Sequence, residues 1–127
     1  MEAACAKALG LGLRRVGLLG TRFTMQGRFY AEVFAREGIS VVAPAMEAQE
    51  YIHHKYMSEL VNGVFLDETR THLLEIADEL HLRDGIDGLV LGGTELPLIF
   101  NDSGTMDFPF LDTTKIHAEC AVEKMLS

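Results

Sequence analysis

Two short loops contain the residues of this chain that are best suited to holding a small anion. One is Gly92–Glu95, with the sequence Gly-Gly-Thr-Glu, which directly follows the apolar run Leu89–Leu91. The other is Gly20–Thr24, with the sequence Gly-Thr-Arg-Phe-Thr. Glycine lets the backbone approach a ligand closely, and threonine hydroxyls with free N–H groups at a helix start can hold a carboxylate or phosphate. A tight strand-to-helix turn without a ligand is the alternative interpretation of both loops.

The elements that position these loops alternate between strands and helices. Apolar runs predict strands at 15–20, 39–43, 88–91 and 108–111. Apolar spacing and capping residues predict helices at 3–11, around 29–34, at 47–62, after a cap at Asp67, at 96–100 and at 113–126, with 21–25 and 101–107 as loops. This order predicts an α/β fold with a four-stranded parallel sheet flanked by helices. Both loops then lie at the carboxyl edge of the sheet, where ligands bind.

No repeat or internal linker interrupts this pattern, so residues 1–127 are expected to form a single α/β domain that ends in a crossover helix at 113–126. On the helix at 47–62, Ile52, Tyr56 and Leu60 recur every four residues and are predicted to face the core.

Composition and motifs exclude several classes of function. The formal net charge of −8 argues against a nucleic-acid-binding protein, which needs a basic face. No apolar run approaches the roughly 20 residues that span a bilayer, and the first residues lack a signal-peptide pattern. Cys5 and Cys120 lack CxxC spacing, which favours free thiols in a reducing cytoplasm. His53 and His54 are adjacent on a helix and cannot share a face, so no metal site is expected.

Four motifs, in matching order and spacing, resemble the aspartate/glutamate racemase family. They are Gly20–Met25, Phe29-Tyr30, Gly92–Leu98 and Leu111–Ala118, and the resemblance covers essentially the whole chain. It implies a fold of two similar α/β halves with the substrate between them, of which this chain is the second half. Residues 1–12 resemble the helix that leads into this half, and the final helix resembles the segment that returns to the first half.

The resemblance implies cofactor-independent racemisation of an aspartate- or glutamate-like amino acid. In this family one thiolate removes the α-proton and a thiol on the opposite face returns one. The expected ligand is a small amino or dicarboxylic acid, and neither a cofactor nor a metal is expected. The second-half motif usually reads Gly-Cys-Thr-Glu. In this chain Gly93 occupies the position of the catalytic cysteine, and glycine cannot transfer a proton.

Other site positions follow from the same resemblance. Thr21 and Thr24 match positions that line the substrate site, and Thr94 matches a threonine that helps to hold a substrate carboxylate. Glu95 is expected to support the substrate site rather than to act as a base. His117 matches a histidine that orients or assists proton transfer, and a purely structural role on the final helix is the alternative.

Two functions therefore stay open. In the first, the chain belongs to an amino-acid racemase whose missing thiol comes from a first half or a partner chain, or to a one-base isomerase or decarboxylase. In the second, it is a catalytically degenerate or truncated relative that serves as a small-anion-binding or interaction module. Without a first half, the final helix would expose Ala118, Ala121, Val122 and Met125. Such an apolar face predicts a homodimer that docks or exchanges this helix.

Overall fold

The computed structural model describes the backbone of residues 2–100 and 108–126, and the side chains of residues 3–100 and 108–119. In chain order, the elements are α1 (Glu2–Gly10), β1 (Arg15–Leu19), α2 (Arg22–Gln26), α3 (Phe29–Ala35), β2 (Ser40–Val42), α4 (Met46–Ser58), a 3-10 turn (Leu60–Asn62), α5 (Asp67–Asp84), β3 (Gly88–Leu91), α6 (Leu96–Ile99), β4 (Phe110–Asp112) and α7 (Thr113–Leu126).

The four strands form one parallel sheet in the order β2-β1-β3-β4. The chain moves from β1 to β2 on one side and then returns to place β3 on the other side of β1. The strand order therefore reverses between β1 and β3, and a crevice forms beyond the carboxyl ends of two such strands. The predicted four-stranded parallel α/β fold is confirmed.

Alternating side chains of the central strands supply two apolar layers, one on each face of the sheet. Leu89 and Leu91 of β3 enter one layer with α4, α5 and α6, whereas Val90 enters the other with α1 and α3. Helix α5 buries one apolar stripe, at Leu73, Ile76, Ala77 and Leu80. Burial on both faces explains why these strands are continuously apolar rather than alternating.

Two local predictions were wrong, one on residues 21–25 and one on the end of α4. Residues 21–25, expected as a loop, contain most of α2, where the Met25 N–H donates to the Thr21 carbonyl at 3.0 Å. This turn buries Met25 to 4% exposure, which favours helix over an open loop. The helix expected at 47–62 ends at Ser58 and is followed by the separate 3-10 turn.

The helices α5 and α7 begin in different ways. Asp112 caps α7, since its Oδ1 accepts the Lys115 N–H at 3.0 Å. Asp67 does not cap α5, because it is the first helical residue and Leu66 is at the cap position without a side-chain bond. Its carboxylate still lies in the first turn, where it favours the helix dipole. The loop predicted at 101–107 lies outside the described residues.

Within the part of the chain that the structure describes, no helix has the length and apolar character needed to cross a membrane.

Candidate functional site

The two predicted loops pack directly against each other where the strand order reverses. The Gly92 N–H donates to the Leu19 carbonyl at 2.8 Å. A Cβ at Gly20 would lie 2.9 Å from Thr24 Cγ2 and 3.2 Å from the Gly92 carbonyl oxygen, and a Cβ at Gly92 would lie 2.9 Å from Thr24 Cγ2. Glycine at both positions is therefore needed for this approach, and the expectation that both loops share one sheet edge is confirmed.

The first loop presents a pair of hydroxyl groups at this edge. Thr21 Oγ1 and Thr24 Oγ1 are 3.4 Å apart, and either can be the donor. One hydrogen is used between them, which leaves the second hydroxyl hydrogen available to a ligand. This pair thus retains the capacity to donate to a carboxylate oxygen.

Helix α4 crosses the carboxyl edge and forms a wall of the site. His53 Nδ1 accepts the backbone N–H of Arg22 at 3.0 Å, and the buried Gln49 accepts from Gln26 Nε2 at 3.2 Å and donates to the Pro44 carbonyl at 2.8 Å. Because a backbone N–H can only donate, His53 Nδ1 must be unprotonated in this arrangement. In the sequence, His53 was considered only as a metal ligand, and that role was rejected. In the structure, its bond to Arg22 fixes the loop after β1.

The arginine of the first loop is already paired. Arg22 donates from Nε and Nη2 to the two carboxylate oxygens of Glu50 at 3.0 and 2.6 Å. The hydrogen bond from Arg22 is the main reason that the pKa of Glu50 is lowered. Both side chains are exposed, so the pair contributes little to stability. It does orient the Arg22 guanidinium toward α4.

Tyr56 of α4 occupies the space that a side chain at position 93 would fill. A Cβ built on Gly93 would overlap the Tyr56 hydroxyl, and it would lie 2.9 Å from Cζ and 3.0 Å from Cε2 of the ring. Gly93 has no left-handed backbone angle, so the conformation itself does not demand glycine. The constraint at position 93 is therefore steric, and its source is the Tyr56 phenol.

The Tyr56 phenol is held by the carboxylate of the second loop. Its hydroxyl donates to Glu95 Oε1 at 2.6 Å, and the Thr94 hydroxyl donates to the same oxygen at 2.7 Å. Burial, followed by the hydrogen bond to Glu95 and the charge of Glu95, raises the pKa of Tyr56 to about 12. The bonds from Tyr56 and then Thr94 lower the pKa of Glu95. At neutral pH the pair is a phenol donating to a carboxylate.

The remaining predicted site residue, His117, is exposed on α7. In the described residues, no hydrogen bond or ring contact joins it to either loop, so its role stays a prediction. Thr113, at the start of the same helix, donates to the Leu91 carbonyl at 2.9 Å and fixes α7 next to the second loop. Cys5 is buried and its thiol pKa is raised mainly by burial, whereas the Cys120 side chain lies outside the described residues.

Among residues 3–100 and 108–119, no group of three or more histidine, cysteine, aspartate or glutamate side chains is arranged to hold a metal ion.

Comparison with known proteins places this geometry in a family. The Asp/Glu/Hydantoin racemase family matches residues 1–121. An aspartate racemase homologue from Pyrococcus horikoshii OT3 is 29% identical with a TM-score of 0.91, and a candidate Asp/Glu racemase from Yersinia pestis is 30% identical with a TM-score of 0.90. Each comparison covers 99% of this chain and 54% of the other, so this chain spans about half the length of these structures.

A more distant structure, the Picrophilus torridus aspartate racemase, is 22% identical with a TM-score of 0.69, and the match covers 87% of this chain and 45% of that one. At this identity the likeness supports the fold alone. The expected half-fold and the resemblance drawn from the motifs are both confirmed. The match over residues 1–121 shows that this chain belongs to the Asp/Glu/Hydantoin racemase family.

Proposed function

We propose that this chain provides the second half of a cofactor-independent isomerase site for an aspartate- or glutamate-like amino acid. The observation that carries the proposal is the direct packing of the loops Gly20–Thr24 and Gly92–Glu95 at the reversal of strand order. This is where open α/β sheets bind ligands. The reaction is removal of the α-proton and its return to the α-carbon.

In this proposal, the α-proton is not removed and returned by a pair of thiols. Gly93 has no side chain, and Tyr56, with a pKa of about 12, keeps its proton at neutral pH. We assign proton removal to His117 or to a residue of a partner half or partner chain. Thr21 and Thr24 hold a substrate carboxylate, because one of their hydroxyl hydrogens is uncommitted.

A second candidate function is favoured by the side-chain space at position 93. Because the Tyr56 phenol fills it, a thiol is excluded from that space as well as absent from the sequence. This supports a catalytically degenerate or truncated relative that binds a small anion or a protein partner without turning it over.

Assembly and location belong to the same proposal. We propose a single α/β domain that works as a homodimer in the cytoplasm, without nucleic-acid or membrane partners. Phe23, in the first loop, and Leu98 in α6, which follows the second loop, are 83% and 56% exposed, which supports association at the carboxyl edge. Ala118 on α7 is exposed as expected, whereas the side chains of 121, 122 and 125 lie outside the described residues.

The test is α-proton exchange in heavy water with the L and D enantiomers of aspartate and glutamate, followed by NMR and chiral chromatography. Exchange with inversion supports a site with two acid/base groups, and exchange with retention supports one. Folded protein that exchanges no α-proton supports the binding module instead.

Two histidine variants locate the base. His117→Asn is expected to reduce exchange at least about tenfold if His117 removes the proton. His54→Asn, which changes an exposed histidine of α4, is the matched control. Equal rates for both variants would move the base to a partner half or chain.

A further inference from the structure

His53 of α4 holds the loop Gly20–Thr24 through a bond that only its neutral ring can make. Its Nδ1 accepts the backbone N–H of Arg22 at 3.0 Å. Because a neutral imidazole carries one N–H, that hydrogen must lie on Nε2. The Arg22 N–H is the first of α2, and Thr21 before it makes no side-chain capping bond. The His53 ring is therefore the acceptor that satisfies the start of this helix.

The other polar contacts between α2 and α4 do not change near neutral pH. The Arg22 guanidinium donates to Glu50 at 3.0 and 2.6 Å, and Gln26 donates to Gln49 at 3.2 Å. The two amides do not titrate, and the pKa of Glu50 is lowered, mainly by the hydrogen bond from Arg22. Histidine, in contrast, is the side chain that ordinarily changes charge between pH 5 and 8. The bond of His53 is thus the contact that responds to a proton in this range.

The charged groups that face His53 lie around a cavity next to α4. The cavity has a volume of about 320 Å³ and is lined by Arg22, Glu50, His53, His54, Met57 and Ser58. Among these described residues, Arg22, Glu50 and His54 are the charged or titratable groups besides His53. The positive charge of Arg22 disfavours a protonated ring and the negative charge of Glu50 favours it, and the two largely offset because they are paired with each other.

We propose that His53 is a positioning residue for the ligand site: its neutral ring holds the loop Gly20–Thr24 in place, and protonation of Nδ1 releases it. A proton on Nδ1 would face the Arg22 N–H, so two donors would meet and the bond would be lost. Glu50 lies three positions earlier on α4, and the cavity leaves the ring space to turn toward its carboxylate. That the released loop loses a ligand rests on the proposed function, in which its hydroxyls hold a carboxylate.

The expected pH dependence is opposite to that of charge alone. Acidification makes the site more positive, which by itself would strengthen the binding of a dicarboxylate. Release of the loop weakens binding instead, because only the fraction of the protein with a neutral His53 keeps the hydroxyls in place, and the apparent affinity falls with that fraction. L-Aspartate is a suitable probe, since both of its carboxylates stay ionised between pH 5.5 and 7.5.

The first part of the test measures the bond without a ligand, by NMR of the folded chain at pH 7.5 and 5.5, within the range in which histidine titrates. At pH 7.5 the His53 proton should lie on Nε2, and the Arg22 amide should be protected from hydrogen exchange. This protection, relative to the intrinsic exchange rate at each pH, should fall about fivefold or more at pH 5.5, as expected for loss of one hydrogen bond.

Three variants separate the acceptor from the proton. His53→Ala should remove the protection of the Arg22 amide at both pH values. His53→Asn, whose side-chain oxygen can accept in place of Nδ1 but does not titrate, should keep it at both. His54→Asn, which changes the exposed neighbouring histidine, is the matched control and should behave as the unchanged chain. A proton on Nδ1 at pH 7.5, or equal protection in the unchanged chain and His53→Ala, would overturn the proposal.

The second part measures the affinity for L-aspartate by calorimetry at the same two pH values. The unchanged chain and His54→Asn should bind about fivefold or more weakly at pH 5.5, whereas His53→Asn should change less than about twofold. His53→Ala should bind weakly at pH 7.5 and show no further fall. An equal fall in His53→Asn would assign the pH dependence to another group and reject this role of His53.

Failure of this proposal and failure of the proposed function give different results. A folded chain that shows the His53-dependent protection of Arg22 but binds no aspartate keeps the hold on the loop and rejects the proposed ligand site. Aspartate binding and α-proton exchange that are unchanged in His53→Ala at both pH values reject the role of His53 and keep the proposed function.

Discussion

Adding a single methyl group at position 93 tests whether the Tyr56 phenol fills the side-chain space there. Gly93→Ala adds a Cβ that overlaps the Tyr56 hydroxyl and lies 2.9 Å from Cζ. Overpacking of this kind costs about 1–3 kcal/mol. Displacing the ring would also break the hydrogen bond to Glu95, and a bond to a charged group contributes about 1.5–3 kcal/mol. We therefore expect Gly93→Ala to lower the free energy of unfolding by about 2–4 kcal/mol.

The loss of unfolding free energy caused by Gly93→Ala should depend on the phenol oxygen of Tyr56. In a Tyr56→Phe background the overlapping atom is gone, and the remaining ring carbons need to move by only a few tenths of an ångström. Gly93→Ala should then cost about 1 kcal/mol or less, because the hydrogen bond to Glu95 is already absent. In a double-mutant cycle of Gly93→Ala and Tyr56→Phe, we therefore expect an interaction free energy of about 1–3 kcal/mol, which is in the range found for residues in contact.

The assay is urea denaturation of the four proteins of the cycle, with linear extrapolation to water. Gly10→Ala provides the matched control, because a Cβ at Gly10, at the end of α1, has no neighbour within 4 Å. Its effect should be the same with and without Tyr56→Phe, within about 0.5 kcal/mol. Equal costs of Gly93→Ala in the two backgrounds would refute the steric link between Tyr56 and Gly93.

Three further predictions address the proton on Tyr56, the core and the exposed edge. The phenol pKa of about 12 exceeds its ordinary value of 10.0, so Tyr56 should contribute stability below pH 10 that is lost as pH rises toward 12. Ultraviolet titration should show Tyr56 ionising last, after Tyr51, whose pKa is also raised by burial. Glu95→Gln should bring the pKa of Tyr56 closer to 10.0, and simultaneous ionisation of all tyrosines in the native protein would contradict this. Phe34 is 0% exposed, so Phe34→Ala should lower the free energy of unfolding by about 3–5 kcal/mol in the same urea assay. A loss under about 1 kcal/mol would show that Phe34 is not packed in the core. Phe23→Ser combined with Leu98→Ser should shift a dimer toward monomer in light scattering, whereas an unchanged mass would place the contact elsewhere.

The sheet was predictable from sequence because its signals are local. Apolar runs such as Leu89–Leu91 bounded by glycine set the strands, and the helical spacing of Leu73, Ile76 and Leu80 set the buried face of α5. Burial of both sheet faces made these patterns strong. The placement of the two loops at one edge followed from parallel strands alone.

The role of Tyr56 was not predictable because it depends on a contact across 39 positions of the chain. The four-residue spacing correctly placed the Tyr56 ring in the core, but no local pattern shows which group the Tyr56 hydroxyl contacts. The same holds for His53, whose bond to the Arg22 N–H joins residues 31 positions apart. The glycine at the cysteine position was visible in the sequence, but the sequence showed only that the thiol is absent, not that the Tyr56 phenol fills the space beside it.

Gly93 and Tyr56 form one structural unit, and this has a consequence for the chemistry. At neutral pH a phenol with a pKa of about 12 retains its proton, and Glu95, with a lowered pKa and two hydroxyl donors on one oxygen, is a weakened base. Neither group is suited to removing an α-proton, whereas both are suited to fixing a ligand. In the proposed function, the loop Gly92–Glu95 therefore binds the ligand, and removal of the α-proton is assigned to a base outside that loop, on α7 or on a partner.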